Sequence, residues 1–339
     1  MGRAPYPHDV SSLTAALDQI SHAQPLVYLL LFFGGTALMI WRTETLMTRG
    51  LEGTALGTLI MPYSSGLGNL IFVFVVASQR HGGREVVVNC LVNNVTNLTL
   101  LIGLPAAFWG LTVVGRNKRQ RVSEKRTQEV NRLSLLLTAV AVLFFSGATW
   151  ALGRDGKLDF GDGLVLIGLF LFWQTFHIYD VMKSNVHARR GVSPLLAVDM
   201  ILLLMGGFLL VTSLNWLVGW MATLEIPWLR SDQLGWLTGW LMVLPNATLA
   251  LYYGWKRQAD VVYASQIGDG HICIPLCLGL SAVLNPIHLP EIFKTGMILL
   301  IGTAIVHLLV LAIFGRMPRV LGVVLIVAYG VFLYQGAFS

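Results

Sequence analysis

The chain has 339 residues, of which 55% are hydrophobic and 12% are charged, and its mean hydropathy is +0.69. A soluble domain carries roughly 25% charged residues, so this composition excludes a disordered chain and argues against a soluble globular enzyme. The net charge of +6 comes from Lys and Arg between apolar runs, which is typical of membrane topology rather than of nucleic-acid binding. We expect a polytopic membrane protein that contacts the lipid bilayer and no nucleic acid.

Apolar runs recur along the whole chain, each close to the ~20 residues that an α-helix needs to cross a bilayer. They predict ten transmembrane spans, numbered here in chain order. The predicted limits are 26–44, 54–78, 85–114, 133–152, 162–182, 195–221, 232–255, 259–284, 291–314 and 319–337. The predicted fold class is therefore an all-α polytopic membrane protein.

The distribution of Lys and Arg predicts the orientation of these spans. The polar loop 115–132, between spans 3 and 4, holds seven of the 23 Lys and Arg residues, and loops rich in these residues face the cytoplasm. Both termini are then predicted to lie outside the cytoplasm, in a multi-pass protein of the cell membrane.

The two halves of the sequence resemble each other. FGGTAL at 33–38 corresponds to MGGFLL at 205–210, and NCLVNNVTNLTLLIGL at 89–104 corresponds to SQIGDGHICIPLCLGL at 265–280 at a constant offset of 176. Each half has five spans, an odd number, so the second half enters the membrane from the opposite side. Such inverted repeats are common in secondary transporters, with the binding site at the bilayer midplane. The predicted organisation is an N-terminal lead at 1–24, a first five-helix repeat at 25–182, a cytoplasmic linker at 183–194 and a second five-helix repeat at 195–339.

A polar stripe follows one face of span 3 and the matching face of span 8. Its members are spaced i, i+4 and i+8, which places them on one side of a helix, and the offset of 176 pairs them one to one. They are Asn89, Asn93 and Asn97 in span 3, and Ser265, Asp269 and Cys273 in span 8. Further amides come from Asn94 in span 3, Asn69 in span 2 and Asn246 in span 7. We expect these polar side chains to converge, although interhelical hydrogen bonding alone would also explain single members.

Asp269 is the only carboxylate well inside spans 2, 3, 7 and 8. An ionisable side chain within the membrane is costly, and it is a functional hypothesis by default. Its position suits coupling to a proton or a cation. The alternative is a protonated structural aspartate that is hydrogen-bonded to the asparagines. Asp180, Asp199 and Asp260 lie nearer the span ends, where we expect solvated roles.

The ordered motifs of both halves resemble those of the cation/calcium antiporter superfamily, the sodium/calcium exchangers. The first repeat gives SSGLGN at 64–69 and VNCLVNNVTN at 88–97, and the second gives LMVLPN at 241–246 and ASQIGDGHIC at 264–273. The resemblance covers nearly all ten spans. It implies a secondary-active cation antiporter that works by alternating access, in which spans 1 and 6, with their Gly-Gly pairs, slide across the repeat cores.

The departures from the family pattern concern charge. The resemblance implies an acidic ion ligand at positions 69 and 246, where this sequence has Asn69 and Asn246, and a serine at position 269, where it has Asp269. Carried over by position, the implied metal ligands are Asp269, Asn69 and Asn246. The wider set of ion-binding and coupling candidates is Asp269, Asn69, Asn246, Asn93, Asn97, Asn94, Asn89, Ser265 and Ser65.

One carboxylate around a divalent ion leaves a net charge of +1, whereas a monovalent ion or a proton would be neutralised. Calcium sites usually contain carboxylates among six to eight oxygens. We therefore expect altered selectivity, with coupling to Na⁺, H⁺ or K⁺, and with Ca²⁺ as an alternative ion. No enzyme activity and no cofactor besides the transported cation are expected. The competing hypothesis is a non-transporting membrane scaffold or partner subunit that keeps the fold without its acidic pair.

Overall fold

The protein is described here by a computed structural model. It describes residues 24–39, 41–42, 45, 68–74, 76–77, 83–114, 122–185, 195–222 and 233–336. Within these ranges six helices are long and apolar enough to cross a membrane, and three shorter apolar helices accompany them. The predicted all-α polytopic membrane fold is confirmed.

The described helices of the first half lie at the predicted spans, but the helix of span 4 begins at Val122, within the predicted polar loop 115–132. Span 1 is Gln24–Met39, span 2 is described at 68–74 and 76–77, span 3 is Arg84–Leu98 followed by Leu100–Trp109, span 4 is Val122–Leu152, and span 5 is Phe160–Asn185. The division of span 3 falls at Thr99, whose hydroxyl turns back to the Val95 carbonyl. Side chains that bond to the preceding turn in this way often bend a helix.

The second half repeats this order, with the main irregularity again in the third helix of the repeat. Span 6 is Leu195–Ala222, span 7 is Leu234–Trp255, span 9 is Ile292–Ile313 and span 10 is Arg319–Gly336. Span 8 consists of four consecutive segments, which are Ala259–Gly268, Gly270–Ile272, the π-helical turn Cys273–Cys277 and Leu278–Leu284. Spans 3 and 8 form the centre, because span 3 packs against spans 7 and 9, and span 8 packs against spans 4 and 5.

Four two-residue strands show the symmetry of the two repeats. They are β1 (Leu111–Thr112), β2 (Lys157–Leu158), β3 (Ile287–His288) and β4 (Arg316–Met317), and they form the antiparallel pairs β1–β4 and β2–β3. Leu111 lies opposite Met317, and the matching residue Ile287 lies opposite Leu158. Each pair joins the two halves, and the first pair maps onto the second in register. The inverted five-helix repeat predicted from the sequence is thereby confirmed.

Two glycine contacts obey the same symmetry. A Cβ on Gly103 would lie 2.9 Å from the Gly322 carbonyl oxygen, where spans 3 and 10 cross. A Cβ on Gly163 would lie 2.7 Å from the Gly279 carbonyl oxygen, where spans 5 and 8 cross. Small residues let membrane helices approach to backbone contact. The equivalent crossings therefore depend on glycine in both halves.

We expect Gly163→Ala to destabilise the fold by about 1–3 kcal/mol, the usual cost of overpacking a well-packed interior. The added methyl would have to push apart two helix backbones. Gly168→Ala, on the same helix but with open space around its Cβ position, should be neutral or slightly stabilising because alanine favours a helix. Thermal unfolding of the purified variants in detergent compares the two. Equal effects would contradict the close packing of spans 5 and 8.

Spans 1 and 6 also cross at glycine, as their Gly-Gly pairs suggest. A Cβ on Gly35 would lie 2.9 Å from the Gly206 carbonyl oxygen. Near one end of this crossing, the Arg42 guanidinium forms a 3.1 Å ion pair with Asp199. Asp199 is buried, so the expectation of a solvated role for it was wrong. It was wrong because Arg42, from the facing helix, supplies the countercharge.

Asp159 caps the start of span 5, just before the first helical residue, Phe160. Its carboxylate accepts hydrogen bonds from the backbone N–H groups of Asp162 (3.2 Å) and Gly161 (2.9 Å), and the Asp162 carboxylate accepts the Asp159 N–H (2.9 Å). These contacts form a reciprocal capping box. The bond from the Asp162 N–H, followed by that from Gly161, lowers the pKa of Asp159 below its usual value.

This lowered pKa makes the cap dependent on pH. The contribution of Asp159 to stability is complete above the unfolded-state pKa of about 3.9 and is lost as the pH falls through the lower folded-state value. Asp159→Ala should therefore lower the melting temperature at pH 7, and the gap to the wild type should narrow towards pH 3. Asp155→Ala, which removes an exposed carboxylate next to Lys157, is the control. A gap that stays constant with pH would contradict the charged cap.

Candidate ion-binding site

Asp269 lies fully buried between the first two helical segments of span 8. Its Oδ2 atom accepts a hydrogen bond from Asn97 Nδ2 of span 3 (3.0 Å) and a second, short one from Asn246 Nδ2 of span 7. Both amides thus direct their nitrogen atoms towards the carboxyl group. The structure thus brings three of the predicted site residues, from both repeats, into direct contact.

The network continues from Asn97 along span 3. Asn97 Nδ2 also donates to Asn93 Oδ1 (3.2 Å), and Asn93 Nδ2 contacts Cys273 Sγ of span 8 (3.7 Å). Asn93, Asn97 and Cys273 are all fully buried. The spacing of four residues in each helix places these side chains on facing sides, as the stripe predicted.

Small residues on span 7 allow this convergence. Gly235 and Gly239 are four residues apart, and a Cβ on them would lie 2.6 Å from the Glu85 carbonyl oxygen and 3.1 Å from the Asn89 carbonyl oxygen, respectively. The buried Glu85 carboxylate also accepts the Gly235 N–H (2.6 Å) at the start of span 7. This close contact between spans 3 and 7 positions Asn246 beside the carboxylate of span 8.

The remaining predicted residues are not joined to Asp269 by any hydrogen bond that is described. Asn89 Nδ2 donates to Thr238 Oγ1 (3.0 Å) of span 7, and Asn94 Nδ2 donates to the Cys90 carbonyl (2.7 Å) of its own helix. Asn69 is buried in span 2, and Ser265 is half-buried in span 8 with its hydroxyl on the Val262 carbonyl. Ser65 lies outside the described residues.

Gln266 belongs to the network although the sequence analysis did not select it. Its Nε2 atom donates to the Asn246 carbonyl (3.2 Å) and to Ser265 Oγ (2.9 Å), and the side chain is fully buried. Gln266 lies three residues before Asp269, on the same helix face. The polar stripe was defined by four-residue spacing alone, and Gln266 was therefore not included.

The amides of the predicted site residues and of Gln266 have a surplus of buried oxygen acceptors. In the described part of the chain, five of them accept no hydrogen bond, whereas only one amide nitrogen of the set, that of Asn69, lacks an acceptor. The five oxygens belong to Asn69, Asn89, Asn94, Asn97 and Gln266. Buried polar atoms are almost always paired, and an unpaired acceptor costs about 1–3 kcal/mol. The oxygens of Asn97 and Gln266 belong to the network that contains Asp269, and a bound cation would satisfy unpaired acceptors of this kind.

The interruptions of helical geometry nearest the site lie in span 8, and not at the proline of span 7. Span 7 continues through Pro245. In a membrane protein, neighbouring helices can compensate for the N–H that proline lacks. In span 8 the regular helix is interrupted at Asp269 and then widens into the π-helical turn Cys273–Cys277. Short π-helical segments occur frequently at functional sites.

The donor set also limits which metals fit. Among the described residues, no group of three or more His, Cys, Asp and Glu side chains could hold a metal ion. The cluster around Asp269 therefore offers one carboxylate and neutral oxygens. Hard cations prefer such oxygen ligands, and a low ligand charge suits a low ion charge.

A family model described as sodium/calcium exchanger protein matches residues 23–179 and 198–335, which is most of the chain and both repeats separately. The chain belongs to the sodium/calcium exchanger family. The resemblance drawn from the repeat motifs is confirmed. Family membership makes this exchanger-family protein a transporter of the cation antiporter class.

Solved structures of the sodium-calcium exchanger NCX_Mj have the same fold. A crystal soaked with 2.5 mM Na⁺ and 10 mM Sr²⁺ has a TM-score of 0.66 and 17% identity over 92% of this chain and 97% of that chain. A crystal soaked with 2.5 mM Na⁺ and 1 mM Sr²⁺ has a TM-score of 0.67 and 16% identity, over 91% of this chain and 96% of that chain. A crystal soaked without Na⁺ and Ca²⁺ has a TM-score of 0.65 and 16% identity, over 92% of this chain and 97% of that chain. A search of curated proteins finds no match.

Proposed function

We propose that this exchanger-family protein is a secondary-active antiporter that binds a monovalent cation or a proton at Asp269. The observation that carries the proposal is the buried Asp269 carboxylate, held by Asn97 and Asn246 from opposite repeats. Asn93 and Gln266 extend the oxygen-rich surroundings. Asp269 is the coupling group, and the amides are neutral ligands or positioning groups.

Charge selects the ion in this proposal. With Na⁺, K⁺ or H⁺ on Asp269, the site is neutral, whereas Ca²⁺ would leave one positive charge buried among amides. A buried charge without a partner is strongly unfavourable. Neither Asn69 nor Asn246 can supply the second negative charge. Selectivity therefore shifts towards monovalent ions.

Alternating access requires the site to open to each side of the membrane in turn. We propose that spans 1 and 6 move together across the repeat cores, because they are joined at the Gly35–Gly206 crossing and by the Arg42–Asp199 ion pair. Spans 3, 7 and 8, which hold the site, stay packed through the contact of spans 3 and 7. Coupling follows if this movement occurs only when the charge of Asp269 is neutralised.

Ion flux in proteoliposomes tests the proposal. The purified protein is reconstituted, and gradients of Na⁺, K⁺, H⁺ and Ca²⁺ are imposed one at a time with each counter-ion. We expect exchange that involves Na⁺, K⁺ or H⁺, at a rate well above that of protein-free vesicles. Exchange that strictly requires Ca²⁺ would contradict the proposed selectivity.

The second candidate function is a non-transporting membrane scaffold or partner subunit. It is favoured by the amides at positions 69 and 246, where the family resemblance implies carboxylates. The buried Asp269 speaks against it, because a protein without ion binding gains nothing from a carboxylate there. Folded protein that supports no flux under any gradient would favour the scaffold.

A further inference from the structure

We infer that Gln266 is an additional ligand of the ion at Asp269 and that its neutral amide determines the preference for ion charge. The inference rests on the proposed function and deepens it. Gln266 is fully buried, and three residues separate it from Asp269 along span 8. Asp269 has right-handed helical dihedral angles (φ −60°, ψ −37°), so the two side chains share one helix face.

The contacts of Gln266 fix the orientation of its amide. Both Nε2 hydrogens are used, one on the Asn246 carbonyl (3.2 Å) and one on Ser265 Oγ (2.9 Å). A backbone carbonyl can only accept a hydrogen bond, so the nitrogen must face Asn246. The oxygen Oε1 is thereby turned away from it, and within the described ranges it accepts no hydrogen bond.

Asn246 connects Gln266 to the carboxylate. Its backbone carbonyl holds the Gln266 amide, while its side chain donates to Asp269. The unpaired oxygen of Gln266 and the carboxylate of Asp269 are thus held by one residue of span 7. A cation at Asp269 would satisfy this oxygen, because amide oxygens are ordinary ligands of hard cations.

The residue type at this position then sets the charge of the site. With glutamine, the cluster holds one formal negative charge, and a monovalent ion neutralises it. With glutamate, the same position would lose the hydrogen bond to the Asn246 carbonyl but add a second negative charge, so that the site would balance a divalent ion. Position 266 is therefore predicted to determine selectivity, although the acidic pair implied by the family resemblance falls at positions 69 and 246.

Equilibrium binding to the purified full-length protein tests this inference, with Na⁺ and Ca²⁺ titrated at constant ionic strength in a calorimeter. Gln266→Met keeps the approximate size of the side chain and removes both the oxygen and the Nε2 donor. We expect it to weaken Na⁺ binding about tenfold, the effect of losing roughly 1.4 kcal/mol. Gln266→Glu should shift the ratio of Ca²⁺ to Na⁺ affinity by at least about tenfold in favour of Ca²⁺.

Tyr263→Phe is the matched control. Tyr263 lies one turn earlier on the same helix, and its hydroxyl is likewise buried and without a partner among the described residues, but its ring packs against His307 with centroids 5.7 Å apart. Removal of this hydroxyl should leave both affinities unchanged. A tenfold loss of Na⁺ affinity in Tyr263→Phe would overturn the specific role of Gln266.

Comparison with Asp269→Asn separates the two proposals. If Asp269→Asn loses Na⁺ binding while both Gln266 variants bind Na⁺ and Ca²⁺ within about twofold of the wild type, the role of Gln266 is refuted and the site at Asp269 stands. If Asp269→Asn binds both ions like the wild type, the proposed function fails, and the role of Gln266 fails with it.

Discussion

Asp269→Asn is expected to remove ion-dependent stabilisation and to reduce coupled flux to the background of empty vesicles. Asparagine has the same shape, so the helices should stay packed and Asn97 or Asn246 can still donate to the remaining oxygen. The charge, however, is lost. Interactions with a charged partner contribute roughly 1.5–3 kcal/mol, so ion binding should weaken about 10- to 100-fold. Thermal unfolding at increasing Na⁺ concentration measures the binding, and proteoliposome flux measures the transport.

Two further variants make this result specific to the position. Asp269→Glu keeps the charge on a longer side chain and should retain part of the binding. Asp159→Asn removes a charge from the exposed start of span 5 and should leave flux unchanged. If Asp269→Asn transports like the wild type, Asp269 is a protonated structural residue, because a neutral acid and an amide then act alike.

Removal of one partner of the Arg42–Asp199 ion pair should have the largest effect on stability. Asp199 is 1% exposed and Arg42 is 13% exposed. The loss of one partner of a fully buried pair costs about 3–5 kcal/mol, because the other charge stays buried alone. Since Arg42 keeps some contact with solvent, we expect Asp199→Leu to cost about 2–3 kcal/mol in unfolding experiments.

A double-mutant cycle separates the interaction energy of the Arg42–Asp199 pair from the contributions of the individual side chains to stability. Arg42→Met combined with Asp199→Leu should recover much of the stability, because two apolar groups replace two charges. Asp155→Ala, which breaks a solvent-exposed contact with Lys157, should cause no measurable change, since surface pairs contribute little. Strict additivity of the Arg42 and Asp199 variants would contradict a direct interaction that joins spans 1 and 6.

The repeat architecture could be predicted from the sequence because it depends on local patterns. The length of each apolar run fixes the spans, and the constant offset of 176 between 89–104 and 265–280 reveals the duplication. The paired strands β1–β4 and β2–β3 could not be predicted, because two-residue strands have no sequence period of their own. They form only where the ends of four spans meet.

Part of the hydrogen-bonded network around Asp269 could be predicted from helical spacing. Helical spacing selected Asn93, Asn97 and Asp269, and the structure joins them by hydrogen bonds because these positions lie on facing sides of two packed helices. Gln266 was missed because three-residue and four-residue spacings share a face, and only the four-residue spacing was considered. The burial of Asp199 could not be predicted, because its partner Arg42 is 157 positions away.

The most direct test of a single-carboxylate site is a comparison of Na⁺, K⁺ and Ca²⁺ binding to the wild-type protein at constant ionic strength and pH. Isothermal titration calorimetry in detergent gives each affinity without the need for transport. The site at Asp269 predicts that a monovalent ion binds more tightly than Ca²⁺, and that Asp269→Asn loses this binding. Ca²⁺ that binds more tightly than either monovalent ion and is unaffected by Asp269→Asn would contradict the proposed site and its selectivity.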